Sequence, residues 1–123
     1  DVMFKDNLPI VTPTQTMEEA IEVVTNGKLG VAIVQEAEQL VGIITDGDVR
    51  RAMQRLGKDF FTTPVKQIMS KNPKTISKDA KIVEAGEEMN HYSIHTLIVV
   101  DNEGKVCGII DSFSCLPGTR FYH

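Results

Sequence analysis

The sequence predicts an α+β fold built from two copies of one unit of about 50 residues, each with the order strand, helix, strand, strand, helix. Three features occur twice, in the same order: a short segment ending in methionine, a proline, and an apolar strand containing Gly-Ile-Ile. They are DVM and QIM at 1–3 and 67–69, Pro9 and Pro73, and LVGIIT and VCGIID at 40–45 and 106–111.

The spacing between the copies sets the expected division of the chain. The two prolines are 64 residues apart and the glycines Gly42 and Gly108 are 66 apart, so small insertions separate the copies. We predict a first repeat over 1–57, a linker over 58–66 and a second repeat over 67–123. The repeats are expected to pack as a pseudo-two-fold pair.

Helix and hairpin signals account for the first copy. Thr16 and Glu19 form a capping box, and Asn26-Gly27 ends the helix. The runs VAIV and LVGII then form a hairpin joined by QEAEQ. Helical spacing places these residues in the core: Met17, Ala20, Ile21 and Val24 from the first helix, and Val49, Ala52, Met53 and Leu56 from the second.

The second copy repeats this order up to its last element. Asp79 can cap a helix, and TLIVV and VCGII form a hairpin joined by DNEGK, a good turn sequence. The apolar stripe of its helix is Ile82, Ala85, Gly86 and Met89. Pro117-Gly118 stops any second helix. Between the copies, Phe60 and Phe61 are expected to attach the linker to the core.

Composition excludes several functional classes. The chain has 123 residues with 41% apolar and 24% charged residues, as in a folded globular protein. A net charge of −4 argues against nucleic acid as a partner. Apolar runs of about five residues are far too short for a membrane span, and the first residues lack a leader pattern. We therefore expect a cytoplasmic protein.

Neither a metal site nor a catalytic centre is predicted. The two cysteines and three histidines lack the spacing of metal motifs. The chain has no phosphate-cradling glycine loop with a lysine, no nucleophile elbow, and no evident nucleophile with a histidine partner. We therefore expect no catalytic residues and no metal or tightly bound cofactor.

The segment GIITDGDVRRAM, at 42–53, carries the functional question. On local grounds, Thr45 and Asp48 form a capping box, and Asp46 and Asp48 suit the positive end of a helix dipole. Such a cap contributes about 0.5–2 kcal/mol, which is enough to explain these residues without a ligand.

The same residues also suit a ligand. The strand around Gly42 ends where backbone can approach a bound molecule, and the Thr45 hydroxyl lies beside free helix amides. An ionised Asp48 only accepts hydrogen bonds and suits a vicinal diol such as ribose. Because a carboxylate repels phosphate, Asp48 must face the sugar while Thr45, or Arg50 and Arg51, face the anion. A nucleotide or nucleotide sugar fits this arrangement.

The duplicated element order and the Gly-x-x-Thr-x-x-Asp pattern at Gly42, Thr45 and Asp48 resemble the cystathionine-β-synthase (CBS) domain, and two in tandem resemble a CBS pair. The resemblance covers the chain to about Ser114. It implies that Thr45 and Asp48 contact a nucleotide. It further implies a ligand-binding set comprising Thr45, Asp48, Ile10, Val11, Leu29, Gly30, Ile44, Asp46, Arg51, His95 and Thr96; for the apolar members, core packing is an equal explanation.

In the second copy, Asp111 and Ser114 stand at the threonine and aspartate positions of the pattern, so we expect one functional site rather than two.

Two segments carry a narrower resemblance. TDGDVRR and IHTLIVVD are similar to the C-terminal CBS pair of arabinose-5-phosphate isomerases of the sugar-isomerase family. That resemblance implies a regulatory module that binds a nucleotide or nucleotide sugar, such as an activated Kdo sugar, with a sugar isomerase domain upstream. A homodimer through the CBS pairs is expected. The alternative is a structural dimerisation module without a small-molecule ligand.

Overall fold

The computed structural model describes residues 8–26, 30–80, 84, 87, 89–91 and 96–111. The chain forms two compact units: the first is Pro9–Pro73, and the second includes the described residues from Lys74 onward. Each unit has its own sheet and its own hydrophobic cluster. The predicted α+β class is confirmed. No described helix is long and apolar enough to cross a membrane.

The first unit is a four-stranded sheet with two α-helices. In chain order its elements are β1 (Ile10–Val11), α1 (Met17–Asn26), β2 (Val31–Glu36), β3 (Gln39–Thr45), α2 (Asp46–Leu56) and β4 (Ser70–Lys71), with 3₁₀ helices Gly57–Thr62 and Val65–Gln67 before β4. The strand order is β1-β2-β3-β4. β1 is parallel to β2, and the other neighbouring pairs are antiparallel.

The second unit repeats the first three strands. It contains β5 (Thr75–Ser77), β6 (Thr96–Val100) and β7 (Val106–Asp111), in the order β5-β6-β7. β5 is parallel to β6, and β6 is antiparallel to β7. Glu84, Glu87 and 89–91 are helical, and Met89 is buried as predicted. The other predicted residues of this helix stripe, and Pro117-Gly118, lie outside the described residues.

Strand register confirms the duplication. In the first unit Val31 pairs with Thr45 and the register shifts after Val34; in the second, Thr96 pairs with Asp111 and the register shifts after Val99. A side-chain pattern of period two fixes register, because a one-residue slip would move every buried residue to the opposite face. The two hairpins therefore share one backbone plan.

The register also corrects the proline match. Ile33 donates its amide hydrogen to the Pro9 carbonyl, and Ile98 donates to the carbonyl of Lys74. Pro9 therefore corresponds to Lys74 rather than to Pro73, and β1 and β2 are offset from their counterparts by 65 residues. Proline lacks a backbone donor but keeps its carbonyl, so the position accepts either residue.

Local signals correctly located the first helix. The Glu19 amide donates to Thr16 Oγ1 (3.4 Å) and the Thr16 amide donates to Glu19 Oε1 (3.5 Å), which is the predicted capping box. Hydrogen bonds from the Gln15 side chain and then from the Thr16 amide hold the pKa of Glu19 below its ordinary value. Met17, Ala20 and Val24 are buried, as the helical spacing predicts.

Part of the segment expected to form a linker, 58–66, packs into the core of the first unit through Phe60 and Val65. Phe60 is fully buried, whereas Phe61 is 44% exposed and touches Phe60 edge-on. The amides of Met17 and Val65 donate to the carbonyls of Thr63 and Gln15, joining this segment to the start of α1. The prediction that both phenylalanines attach the segment to the core is therefore wrong for Phe61. The repeat boundaries themselves stay a prediction.

Two further differences concern solvent exposure and the first hairpin. Met53 of α2 is exposed rather than in the core, because Val49, Ala52 and Leu56 complete the packed face.

The first hairpin has a shorter turn than expected. β2 extends to Glu36, so the turn is only Ala37-Glu38, both with positive φ (51° and 67°). A two-residue turn with positive φ at both positions matches the twist of paired strands, although non-glycine residues adopt it at a cost.

Candidate functional site

The candidate site lies where β3 passes directly into α2. Thr45 is the last residue of β3 and has an extended backbone (φ −112°, ψ 169°), and Asp46 begins the helix. A threonine is stable at such a position because its branched side chain suits the strand and its oxygen caps the helix. The Thr45 hydroxyl therefore lies at the positive end of α2, with no loop between the strand and the helix.

Thr45 and Asp48 form a complete capping box. The Asp48 amide donates to Thr45 Oγ1 (3.2 Å), and the Thr45 amide donates to Asp48 Oδ2 (3.0 Å). The Thr45 hydroxyl also donates to Asp48 Oδ2 at 3.1 Å. The local prediction for these two residues is confirmed, so the cap accounts for their positions independently of any ligand.

Two further side chains complete the surroundings of Asp48. Arg51 Nη2 donates to Oδ1 at 2.9 Å, and the Ser70 hydroxyl lies 3.1 Å from Oδ1 and 3.2 Å from Oδ2. Asp48 is only 8% exposed, whereas the Arg51 side chain is 71% exposed. Burying a carboxylate requires such compensation. The site is therefore a buried carboxylate that accepts hydrogen bonds from two hydroxyls, one amide and one guanidinium.

Close approaches fix the surface around this carboxylate. Gly30 has a φ of +69°, and a Cβ there would lie 2.8 Å from Asp46 Oδ2. A Cβ on Gly47 would lie 3.0 Å from Arg51 Nη1, so the guanidinium folds back across the first turn of α2. Gly30, Asp46 and Arg51 thus lie around the same junction as Thr45 and Asp48.

The role predicted for Gly42 needs correction. A Cβ on Gly42 would lie 2.7 Å from Met69 Sδ and 2.9 Å from the Ser70 carbonyl oxygen. The backbone that approaches Gly42 is therefore β4 of the same unit. A side chain at this position would push β4 away from β3.

The apolar members of the predicted set lie on opposite faces of the sheet. Val11 and Ile44 are buried in the core cluster with the helices, so packing accounts for both. Ile10 pairs with Ile33, which pairs with Ile43, and this places Ile10 on the same sheet face as Thr45. Ile10 is also 40% exposed, unlike a core residue.

The remaining members of the set are not brought to this junction. Thr96 is half-buried in β6 of the second unit and pairs with Asp111. Leu29 and His95 lie outside the described residues. Across the part of the chain that is described, each buried side-chain nitrogen and oxygen has a hydrogen-bond partner, so no orphaned polar atom marks a ligand position.

Ser70 is the residue of the site that sequence reasoning missed. It precedes Asn72-Pro73, where a turn is expected, and it is 22 residues from Asp48 in the chain. Local spacing does not connect residues so far apart. The sequence holds no local signal for this contact, which depends on the pairing of β4 with β3.

The family of the chain follows from comparison with known proteins. The CBS domain model matches twice, at residues 1–55 and 65–116. The chain therefore belongs to the CBS domain family, and its two matches form a CBS pair.

Two curated relatives of the chain are longer proteins. A probable arabinose 5-phosphate isomerase of Haemophilus influenzae is 40% identical over 108 residues, covering 88% of this chain and 32% of the relative. The arabinose 5-phosphate isomerase KdsD of Francisella tularensis is 38% identical over 113 residues, covering 89% and 34%. The chain thus spans about a third of the length of these relatives.

Solved structures support the fold alone. CBSX2, a CBS-pair protein of Arabidopsis thaliana solved in complex with AMP, superimposes with a TM-score of 0.80 at 24% identity. The match covers 94% of this chain and 90% of the other. The tandem CBS arrangement predicted from the repeat is therefore confirmed.

Proposed function

We propose that this chain is the ligand-sensing CBS pair of an arabinose-5-phosphate isomerase, and that a nucleotide or nucleotide sugar binds at the start of α2. The observation that carries the proposal is the buried Asp48 carboxylate, which already accepts hydrogen bonds from the hydroxyls of Thr45 and Ser70. A ribose diol presents the same donors, and charge-assisted hydrogen bonds of this kind contribute about 1.5–3 kcal/mol each.

The charges of the site suit a phosphorylated ligand. Arg51 offsets the charge of Asp48, and its guanidinium remains largely exposed across Gly47 at the positive end of α2. An anion at this point meets a guanidinium and a helix N-terminus, and the sugar meets the carboxylate. Ile10 offers an exposed apolar side chain on the same sheet face as Thr45, which suits the flat face of a base.

The relatives supply the larger context of the proposal. Because the arabinose 5-phosphate isomerases are about three times longer than this chain, we place the sugar isomerase domain upstream in the whole protein and assign no catalysis to the CBS pair. The ligand is then a feedback signal, such as AMP, a cytidine nucleotide or an activated Kdo sugar. We place both protein and ligand in the cytoplasm.

A thermal-shift panel tests this function. AMP, CMP, a cytidine nucleotide sugar and arabinose 5-phosphate are added in turn to the wild-type chain and to Asp48→Asn. At a hundredfold excess over its Kd, a ligand stabilises the folded state by about 2.7 kcal/mol. We expect a shift with at least one nucleotide, lost in Asp48→Asn and kept in Asp59→Asn, a control at an exposed position of the same unit. No shift with any nucleotide would refute the proposal.

A structural dimerisation module is the second candidate, and one observation favours it. The hydrogen bonds of Thr45 and Asp48 are complete without a ligand, as a purely structural cap requires. The exposed Met53 of α2 offers an apolar contact point for a second copy. Light scattering separates the candidates, because a structural module forms a dimer whose dissociation constant is the same with and without nucleotide.

A further inference from the structure

The hydroxyl of Ser70 occupies a distinctive position on the Asp48 carboxylate. Its distances to the two carboxylate oxygens, 3.1 and 3.2 Å, are almost equal. A single hydroxyl hydrogen is therefore shared along the open edge between Oδ1 and Oδ2. This edge is where a bidentate donor binds a carboxylate, with one hydrogen bond to each oxygen.

The other donors leave little room for a ligand. An ionised carboxylate accepts about four hydrogen bonds. Oδ2 already accepts from the amide and hydroxyl of Thr45, and Oδ1 accepts from Arg51. The Thr45 bonds belong to the helix cap and Arg51 supplies the compensating charge, so both are costly to remove. Ser70 contributes one neutral, shared hydrogen bond from an exposed residue and is the easiest donor to replace.

From this geometry we infer that Ser70 is an internal competitor for the sugar hydroxyls of the ligand, so that binding replaces the Ser70–Asp48 hydrogen bond with the ligand diol. The inference rests on the proposed function. It makes Ser70 a residue that sets affinity and selects ligands with two adjacent hydroxyls, because a lone hydroxyl gains nothing over the one it displaces.

The exchange has a structural consequence for β4. This strand is only two residues long, pairs with β3 through Gly42 and Ile43, and precedes Pro73, the last residue of the first unit. Release of Ser70 removes the side-chain tie between this short strand and the start of α2. Ligand binding then loosens the segment that leads into the second unit.

Calorimetric titration with AMP, and with 2′,3′-dideoxy-AMP, tests the inference on three proteins: wild type, Ser70→Ala and Ser77→Ala. Ser77 is an exposed serine of the second unit whose hydroxyl, in the described contacts, accepts only from the nearby Asp79 amide. We expect Ser70→Ala to bind AMP about fivefold more tightly than wild type, as the net value of one hydrogen bond implies. Ser77→Ala should match wild type, and the dideoxy ligand should show no gain in Ser70→Ala.

The outcomes separate this inference from the proposed function. AMP binding by wild type with equal or weaker binding by Ser70→Ala overturns the inference alone. Absence of binding by both proteins overturns both proposals for this ligand class. Binding by Ser70→Ala alone, with none by wild type, overturns the proposed sensing function of the natural chain and the inference with it.

A second measurement covers the case in which Ser70→Ala fails to fold. Amide hydrogen exchange at Ser70 and Lys71 is followed in wild type with and without saturating AMP. The inference predicts exchange at least threefold faster with AMP, although ligands ordinarily slow exchange. Unchanged or slower exchange at both amides, or no saturable AMP binding, overturns it.

Discussion

The hairpins of the two units share a backbone but differ at both ends. β2–β3 and β6–β7 have matching registers and matching irregularities. Where β3 ends in Thr45 and enters a capped helix, β7 ends in Asp111; where the first hairpin turns through Ala37-Glu38, the second uses a longer turn with Gly104. Buried side chains thus preserve the duplicated backbone, while the residues that end the second strand of each hairpin, Thr45 and Asp111, differ.

The largest loss of stability is expected at Phe60, in the segment that precedes β4 of the first unit. Phe60→Ala should destabilise the chain by about 3–5 kcal/mol, because it removes a fully buried aromatic side chain and leaves a cavity. Phe61→Ala, at the exposed neighbouring position, should cost under about 1 kcal/mol. Urea unfolding of both variants checks this, and equal losses would contradict the burial of Phe60 beside an exposed Phe61.

The next largest effect is expected at Asp48, at the junction of β3 and α2 in the first unit. Asp48→Ala removes the second half of the capping box and the acceptor for Arg51 and Ser70, and should cost about 2 kcal/mol. Asp46→Ala, which removes an exposed acid from the same helix turn, should cost about 0.5 kcal/mol. Thermal unfolding measures both, and a smaller loss for Asp48→Ala would contradict the observed network.

The turn of the second hairpin should be sensitive to glycine replacement. Gly104 has a φ of +79° with open space around its Cβ position, so Gly104→Ala adds backbone strain without a clash. We expect a loss of about 1 kcal/mol. Gly57→Ala, also at positive φ in open space, should lose a similar amount of stability. Urea unfolding measures both variants, and an unchanged midpoint in either would contradict the positive φ at that glycine.

Acid sensitivity should include one hydrogen-bonded carboxylate from each unit, Glu19 and Asp101. Hydrogen bonds from the amides of Lys105 and Glu103 hold the pKa of Asp101 below its ordinary value, as those from Gln15 and Thr16 do for Glu19. A lowered pKa stabilises the fold above the ordinary value, and this contribution is lost as pH falls through the lowered one.

Asp101→Asn and Glu19→Gln should therefore each be less stable than wild type near pH 7 and converge with it at low pH. Urea midpoints between about pH 7 and pH 2 give the profiles. A difference from wild type that persists unchanged at the acid end would show that the carboxylates act through something other than these hydrogen bonds.

The smallest effect is an expected gain in the first hairpin. Ala37→Asn places a residue that tolerates positive φ at the first position of the two-residue turn. We expect a stabilisation of about 0.5 kcal/mol. A higher urea midpoint checks this, with Ala80→Asn, at a turn outside the hairpins, as a control that should show no gain.

The sequence predicted those parts of the fold that local chemistry determines. Capping at Thr16 and at Thr45 depends on residues three apart, and each hairpin follows from two adjacent apolar runs. The repeat extended these local predictions to the second unit. For the site, this reasoning identified Thr45, Asp48 and Arg51 correctly as neighbours.

What the sequence did not predict depends on contacts between distant segments. Ser70 reaches Asp48 across 22 residues, and Gly42 is required by β4 rather than by a ligand. Phe60 and Phe61 are chemically identical, and only packing against α1 and α2 buries the first and exposes the second. Periodicity does not distinguish adjacent positions in a short 3₁₀ helix.

The central claim is that the Asp48 carboxylate binds the diol of a nucleotide. Titration calorimetry of the wild-type chain with AMP and with 2′,3′-dideoxy-AMP tests it most directly, because the two ligands differ only in the hydroxyls that the carboxylate would accept. We predict saturable AMP binding, weakened about tenfold or more in the dideoxy compound. Equal affinity for the two ligands, or no binding of either, would contradict the claim.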